Sequence, residues 1–555
     1  MRHRPAPSVL PYSQMKLRML RIRRYWPVHI CAVLLLVGSV THTALGYTHS
    51  DLAGHGWGTD DAYISYRYAQ NMYEGHGLVF NPGERVEGYS NFLYVLLLTS
   101  AFLVGAGDQI YLFSVAINMV LIVAALYVFA RYISRSLGNT NGVLASLLFA
   151  LAPPIWIWVA SGMETSLVVL ITLLMLVTIE RLVKDPQQNV VPACILMMLA
   201  ILARADGFIT VVVAVVCLAV RGRYKATIWT SAVLAGTLTV YSAWRLSYYG
   251  DLLPNTYYAK VSGPLFDRIA FAIRQLWGIA MNEGLFVYLL AFLFAAAPLV
   301  VGHLRRSKMA TRELWGFDTI FIPVWLLYWL YIGADHFQER FLVVLYPLGL
   351  VTFFRHIVPA LRRTGRAFLV VLVIVLQLRM IVLDNRFQYT FDKHDRYIQL
   401  GQFLGEHYSG KLLAADAVGK IPYFSGLQTI DMLGLNDRYI AHTEATFFDV
   451  GHNKYDADYV ISRCPDLIVA WVHDEDMNLA RGLTREKYEG KYRLTYLVNA
   501  SAQSAQDNIV EVSAFSSSAI VDLYDEGYIF AVLEKVRCPT TVHGNTNLLE
   551  STLIL

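Results

Sequence analysis

Charge is what this chain is short of. Only 16% of its 555 residues are Asp, Glu, Lys or Arg, against roughly a quarter in soluble globular proteins. Hydrophobic residues make up 56% and the mean hydropathy is +0.43. Those values exclude an ordinary soluble globule and imply an integral membrane protein. The net charge of +4 is too small to imply a nucleic-acid partner, and the Lys and Arg clusters sit at the ends of apolar runs, as the positive-inside rule requires. Cysteine is also scarce, at five. Cys31, Cys194 and Cys217 fall in apolar runs. Cys464 and Cys538 fall in the polar C-terminal part, where a disulfide is open to them if that part is extracytoplasmic. There is no P-loop, GxGxxG, HExxH or paired CxxC, no internal repeat and no low-complexity tract, so the usual nucleotide and zinc signatures are missing.

What is present is a series of long apolar runs. Residues 1–26 carry Arg2, Arg4, Lys16, Arg18, Arg21, Arg23 and Arg24, and the run 27–47 follows. This reads as a basic cytoplasmic tail and a signal anchor. Further spans are expected at about 110–130, 142–160, 165–183, 190–204, 207–220, 227–247, 275–303, 317–333, 341–357 and 367–384. Residues 89–106 are apolar but marginal in length. If they lie at the interface or re-enter, Arg135, Lys184, Arg223, Lys308 and Arg363, with the basic residues beside them, all fall on the cytoplasmic side. The expected fold class is therefore an α-helical polytopic membrane protein with about eleven transmembrane helices plus interfacial helices, N-terminus in and C-terminus out. Runs 190–204 and 207–220 are short for a core of roughly 30 Å.

After about residue 384 the apolar runs stop. Residues 385–555 read as a soluble α/β domain: KLLAADAVGKIPYFSG as strand, turn and short helix, PDLIVAWV and YIFAVLEK as strands, SAQSAQDN as a loop, and about ten frayed residues at the end. The expected division is a tail at 1–26, a transmembrane domain at 27–384 whose first outer loop is 48–88, and the soluble domain.

The same count puts five polar clusters on the outer face: the stretch 58–91 with Asp60, Asp61, Arg67, Glu84, Arg85 and Glu87; SGMET at 161–165 with Glu164; RADG at 204–207 with Arg204; 245–260 with Arg245, Tyr258 and Lys260; and GADHFQER at 333–340 with His336 and Arg340. Ionisable groups at membrane depth are costly and mark functional sites, so five on one face imply one shared cleft. Asp60 and Asp61 are adjacent and diverge on a helix, which allows one to act as a base and the other to bind or orient; desolvation at a lipid interface raises a carboxylate pKa. Thr59 or Asp60 capping a helix is the structural alternative, as a helix cap or first-turn acid is for Glu164. Arg204, Arg245, Lys260 and Arg340 suit a phosphate or snorkel to headgroups. Tyr248, Tyr249, Tyr257 and Tyr258 suit an interfacial belt or a sugar. His336 beside Asp335 has no third ligand at a metal-site spacing.

The stretch DDAYISYRYAQNMYEGHGLVFNPGERVEGYSNFL resembles the first outer loop of the GT-C superfamily of polyprenyl-phosphate-dependent glycosyltransferases, and more narrowly the mycobacterial arabinofuranosyltransferase B group. SGMET, RADG, YYGDLLPNTYYAK and GADHFQERF follow in matching order, as do DAVGKIPYFSGLQTIDMLGLNDRYIA and GHNKYDADYVISRCPDLI, so the resemblance covers about 27–540. It implies a GT-C fold, a polyprenyl-phosphate sugar donor such as decaprenylphosphoryl-arabinose, a cell-envelope glycan acceptor, and an active site and C-terminal domain outside the cytoplasmic membrane. It implies an acidic catalytic base in the first loop, which carries onto Asp60 or Asp61, with Asp60 favoured. Arg67, Glu87, Glu164, Arg204, Arg245, Tyr258, Lys260, His336 and Arg340 are the candidate donor-phosphate and substrate contacts. No cofactor is expected, and a divalent metal is left open. The rival readings are a lipid-linked sugar transporter or flippase, which predicts broken helices at the midplane and an inverted repeat, and a scaffold with a carbohydrate-binding outer domain, which leaves the carboxylate pair without work.

Overall fold

The computed structural model describes residues 12–48, 58–290, 315–383, 396–445, 448–499 and 509–538, with 293 and 387 as isolated positions. The start of the basic tail, residues 49–57 of the first loop, the second half of the 275–303 run, the basic residues of 305–312, the 501–508 loop and the C-terminal end lie outside the described residues.

The apolar runs fold as helices. They are α1 (Tyr12–Thr48), α2 (Asp60–Tyr73), α3 (Phe92–Leu103), α4 (Ile110–Leu137), α5 (Asn139–Ala150), α6 (Pro153–Ala160), α7 (Thr165–Lys184), α8 (Val191–Ala203), α9 (Gly207–Val220), α10 (Tyr224–Tyr249), α11 (Asn255–Lys260), α12 (Leu265–Asn282), α13 (Phe317–Ile332), α14 (Leu345–Thr352) and α15 (Arg363–Leu383). Among the described residues, five segments are long and apolar enough to cross a membrane, or six with one bent pair. The marginal run 89–106 becomes α3, 12 residues long. At 1.5 Å per residue that is roughly 18 Å, well short of a roughly 30 Å core.

One expected span is broken. The run 142–160 bends by 54° between α5 and α6. Pro153 and Pro154 open α6 and Ala152 is extended (φ −82°, ψ 105°), because a residue before proline avoids helical geometry and proline offers no N–H to continue the ladder. The run 341–357 keeps a span's length, at Arg340–Ala360, with a 3-10 turn at Arg340–Leu342 before α14 and a π turn at Phe353–Ile357 after it. The helical interior is aromatic, with Trp325, Trp329, Tyr346, Phe129 and Phe149 fully buried.

The C-terminal part is a six-stranded sheet ordered β2-β1-β3-β6-β4-β5. After helix α16 (Arg396–His407) come β1 (Leu412–Ala415), α17 (Lys420–Ser425), β2 (Gln428–Asp431), α18 (Arg438–His442), α19 (Ala457–Ser462), β3 (Leu467–Trp471), α20 (Arg485–Tyr488), β4 (Tyr492–Val498), β5 (Ile509–Glu511), α21 (Ser517–Asp525) and β6 (Phe530–Lys535). β1 runs parallel to β2 and β3, while β6 pairs antiparallel with β3 and β4, and β4 with β5. Central strand β3 is buried on both faces, which is why it reads as the unbroken apolar run LIVAW. Cys464 and Cys538 are bridged, with Cα atoms 5.6 Å apart and 74 positions between them. Closing a loop of that length is worth about 4 kcal/mol in chain entropy.

The sheet domain docks on the 58–91 stretch. Arg67 donates from Nη1 to the Pro422 carbonyl (2.6 Å) and from Nη2 to the Leu427 carbonyl (2.7 Å). The Asn81 amide donates to the Thr429 carbonyl (2.9 Å) and accepts from the Thr429 N–H (3.1 Å).

Candidate active site

The two aspartates of the first turn of α2 point different ways. Consecutive helical residues are about 100° apart around the axis, so neighbours cannot face the same partner. Asp60 turns to the sheet domain and accepts from the backbone N–H groups of Gly419 (2.9 Å) and Lys420 (2.8 Å). It therefore caps the start of α17 rather than its own helix. A Cβ at position 419 would collide with the Asp60 carbonyl, so the contact requires glycine there. Thr59 does not cap α2 either; its hydroxyl donates to the Ser161 carbonyl at 3.3 Å. Asp61 turns the other way, into a cavity, where Lys260 Nζ lies 3.1 Å and Arg340 Nη1 3.7 Å from its Oδ2. Asp60, the residue favoured as base from the sequence, has both oxygens engaged in docking, and Asp61 is the member of the pair that lines the cavity.

All five polar clusters contribute to that cavity. Its wall includes Asp61, Met163 and Glu164, Arg204 and Asp206, Tyr257 and Lys260, and Asp335, His336 and Arg340. Leu435, Val450 and Gly451 of the sheet domain complete it. Glu164 takes the N-cap position of α7 without capping it. Its carboxylate instead accepts from the Asn91 amide (2.8 Å) and faces Arg204 Nη1 at 4.0 Å. Gly162 sets this turn with φ +80°, and a Cβ there would strike the Tyr66 hydroxyl, so glycine alone fits the position.

The arginines are already partnered. Arg204 makes a bidentate pair with Asp206 (2.8 and 2.7 Å), and Arg340 with Asp335 (2.7 and 2.9 Å). Such forks are held rigidly and present their remaining N–H groups in one direction. Lys260 is the more exposed cation: its side chain is 27% exposed and pairs with Asp61. Burial drives Asp61 upward, but Lys260 and Arg340 outweigh it and hold the carboxyl below its ordinary value. Burial lowers the His336 pKa against the pull of Asp61, so His336 enters as a neutral imidazole at pH 7. Asp60, by contrast, is pushed up to about 6 by burial, with the Lys420 N–H opposing and Asp61 assisting. Among the described residues no three His, Cys, Asp or Glu groups are placed to hold a metal ion.

The remaining candidates sit elsewhere. Arg67 is a docking residue, spent on backbone carbonyls and on Asn81. Glu87 and Arg245 form a buried ion pair behind the cavity wall, with Arg245 Nη2 3.1 Å from Glu87 Oε1, and the Tyr241 hydroxyl beside it. Tyr258 packs on the His442 ring at 4.3 Å. Tyr248 and Tyr249 hold the Leu78 N–H and carbonyl, a loop-fixing role in place of a lipid belt. Asp206, Asp335 and Asn91 were not candidates from sequence; the short spacing of each aspartate from an arginine, two and five positions, was the available signal.

Residues 382–523 match a family described as a domain of unknown function (DUF8728). The chain is 24% identical over 344 residues to the terminal β-(1→2)-arabinofuranosyltransferase of Mycobacterium tuberculosis (strain ATCC 25618 / H37Rv), covering 56% of this chain and 54% of the relative. It thus spans about half the length of that curated relative. The apo crystal structure of the Archaeoglobus fulgidus oligosaccharyltransferase superposes with a TM-score of 0.53 at 13% identity, over 87% of this chain and 75% of that one. The crystal structure of ArnT from Cupriavidus metallidurans bound to undecaprenyl phosphate gives 0.49 at 12%, over 92% and 99%. The chain has the GT-C fold and resembles the GT-C glycosyltransferases, the mycobacterial arabinofuranosyltransferases among them.

Proposed function

We propose that this protein is a membrane glycosyltransferase that moves a sugar from a polyprenyl-phosphate donor to a hydroxyl of a cell-envelope glycan, with Asp61 as general base. The observation that carries the proposal is the cavity in which a partly exposed Lys260 and a rigid Arg340 both face the Asp61 carboxylate. The acceptor O–H gives its proton to Asp61 as its oxygen bonds the anomeric carbon. The bond from that carbon to the phosphate oxygen breaks, and polyprenyl phosphate leaves with the electron pair. Cations aimed where that charge develops stabilise the departure; that role is proposed for Lys260 and for Arg340, whose Nη1 turns to Asp61 and Met163. Every group in this scheme belongs to the chain or its substrates.

The ion pair of Asp61 with Lys260 has a mechanistic consequence. A carboxylate held by two cations is a weak base. A donor phosphate that draws Lys260 onto itself removes the stronger restraint and raises the Asp61 pKa toward the range useful for proton transfer. Donor binding then switches the base on, so water is not activated in the resting site.

The sugar is proposed as arabinofuranose and the donor as decaprenylphosphoryl-arabinose, on the sequence resemblance to the M. tuberculosis enzyme. The proposed organisation is a multi-pass protein of the cytoplasmic membrane with about eleven spans, a transmembrane domain at 27–384, and an extracytoplasmic domain at 385–555 on the cavity side. The bridge of Cys464 to Cys538 suits an oxidising compartment. The purified protein in lipid nanodiscs, given synthetic polyprenyl-phosphoryl arabinofuranose and an arabinofuranoside acceptor, is expected to form a longer glycoside and free polyprenyl phosphate. Transfer from a nucleotide sugar in place of the lipid donor would overturn the reading.

A further inference from the structure

The reaction needs one acceptor hydroxyl beside Asp61, yet a glycan acceptor extends beyond its reacting unit. The sheet domain offers a second place to hold it. Tyr439 on α18 is 52% exposed, and its ring stacks on that of Tyr459 on α19, with centroids 4.2 Å apart and planes at 22°. Both hydroxyls are pinned: Tyr439 donates to Asp456 Oδ2 (3.2 Å), and Tyr459 to Asp437 Oδ2 (3.0 Å). Arg463 donates to the Tyr459 hydroxyl at 2.7 Å and faces Glu84 of the first loop at 3.8 Å. The outcome is an aromatic face held rigid, open to water on one side, and rimmed by two carboxylates.

Resting on the reaction proposed above, we propose that Tyr439 is a stacking subsite for a non-reacting sugar unit of the acceptor glycan. The negative face of an aromatic ring attracts the positively polarised C–H groups of a sugar face. Each carboxylate also caps a helix, Asp437 accepting from the Ile440 N–H (3.0 Å) and Asp456 from the Tyr459 N–H (2.9 Å); with about four acceptor sites per carboxylate, each can still take a sugar hydroxyl after serving cap and tyrosine. A protein partner would need a far larger apolar patch, and the carboxylate rim repels a polyanion. Position supports the same ligand. Leu435 lines the cavity, and Tyr439 is four residues further on, within about 14 Å even were the chain extended. The Asn255 amide clamps the intervening backbone at the Gly434 (2.7 Å), Leu435 (3.1 Å) and Asp437 (3.1 Å) carbonyls, so platform and cavity are fixed relative to each other.

The test is direct binding of a linear arabinofuranosyl oligosaccharide to the full chain in nanodiscs, read by saturation-transfer NMR and titration. Tyr439→Ala is expected to weaken binding about tenfold; Tyr439→Phe, which keeps the stack, is expected to stay close to wild type. Equal binding by wild type and Tyr439→Ala, or no binding to wild type, overturns the subsite whatever the turnover. Transfer to a single-sugar arabinofuranoside, measured alongside, is expected to be unchanged in Tyr439→Ala, and an equal loss there also overturns it. A wild type that binds through Tyr439 but transfers nothing would refute the proposed reaction and leave the sugar platform standing.

Discussion

Asp61 and Lys260 are 199 positions apart in the chain and 3.1 Å apart in space. One comes from the first turn of the helix that follows the N-terminal span, the other from the last turn of a six-residue helix. Their pairing brings two of the five polar clusters together, and the proposed chemistry follows from breaking it.

Lys260 is the first residue to test. Its removal takes away the cation expected at the leaving phosphate, and loss of one such donor costs about 10²–10³ in kcat. Lys260→Met should show that loss with the protein still folded. Steady-state kinetics with the lipid donor measures it; a change confined to the KM for the acceptor would assign Lys260 to acceptor binding instead.

The pH profile separates free from donor-bound enzyme. Lys260 and Arg340 hold Asp61 below its ordinary value, so the acid limb of kcat/KM, which reports the free enzyme, should lie below the ordinary aspartate range. The acid limb of kcat reports the complex, in which the phosphate has drawn Lys260 away, and should lie at higher pH. Coincident limbs would contradict the base switch.

Asp60 should behave as a docking residue. Its folded pKa of about 6 lies above the ordinary 3.8, so between those values the folded state keeps a proton the unfolded chain has lost. Its contribution to stability is therefore largest at low pH and declines as pH rises from about 4 to 6. Asp60→Asn removes this titration, and its thermal stability should change less across that window than that of wild type. Scanning calorimetry of both proteins from pH 4 to 7 decides it.

Glu87 and Arg245 test the support behind the cavity. Both are nearly fully buried, and burial pushes the Glu87 carboxyl up to about 7 despite the arginine. Breaking a buried pair from one side typically costs 3–5 kcal/mol, and replacing both partners costs much less. Arg245→Met alone should lower Tm more than the double variant with Glu87→Gln. Equal losses would show that the pair does not act as a unit.

Topology is checked by single cysteines at 135, 223 and 363, which should react from the cytoplasmic side only. Labelling at 223 or 363 from outside would invert the proposed orientation and separate the cavity from an extracytoplasmic acceptor.

The sequence exposed the clusters but not their facing. Ionisable residues are rare enough at membrane depth that Asp61, Glu164, Arg204, Lys260, His336 and Arg340 stand out without a structure, and all six line the cavity. Which of Asp60 and Asp61 faces inward depends on the rotation of one short helix, set by the docking of Gly419, some 360 positions away. Arg67 and Arg245 carry the same signal as Arg340, because a buried cation that accepts structural work looks like one that awaits a substrate. The strands were legible where the sheet buries both faces, as at 467–471, and the break at Pro153 was not anticipated because the apolar run continues through it.

The most direct measurement is turnover of Asp61→Asn beside Asp60→Asn, with the lipid donor and an arabinofuranoside acceptor. Asp61→Asn keeps the size of the side chain and removes the base, so kcat should fall by about two to four orders of magnitude while donor binding is retained. Asp60→Asn should lose less turnover per folded molecule than stability. Near wild-type turnover in Asp61→Asn would contradict the carboxylate-base mechanism, and a larger loss in Asp60→Asn at equal stability would return the base to the residue that the structure assigns to docking.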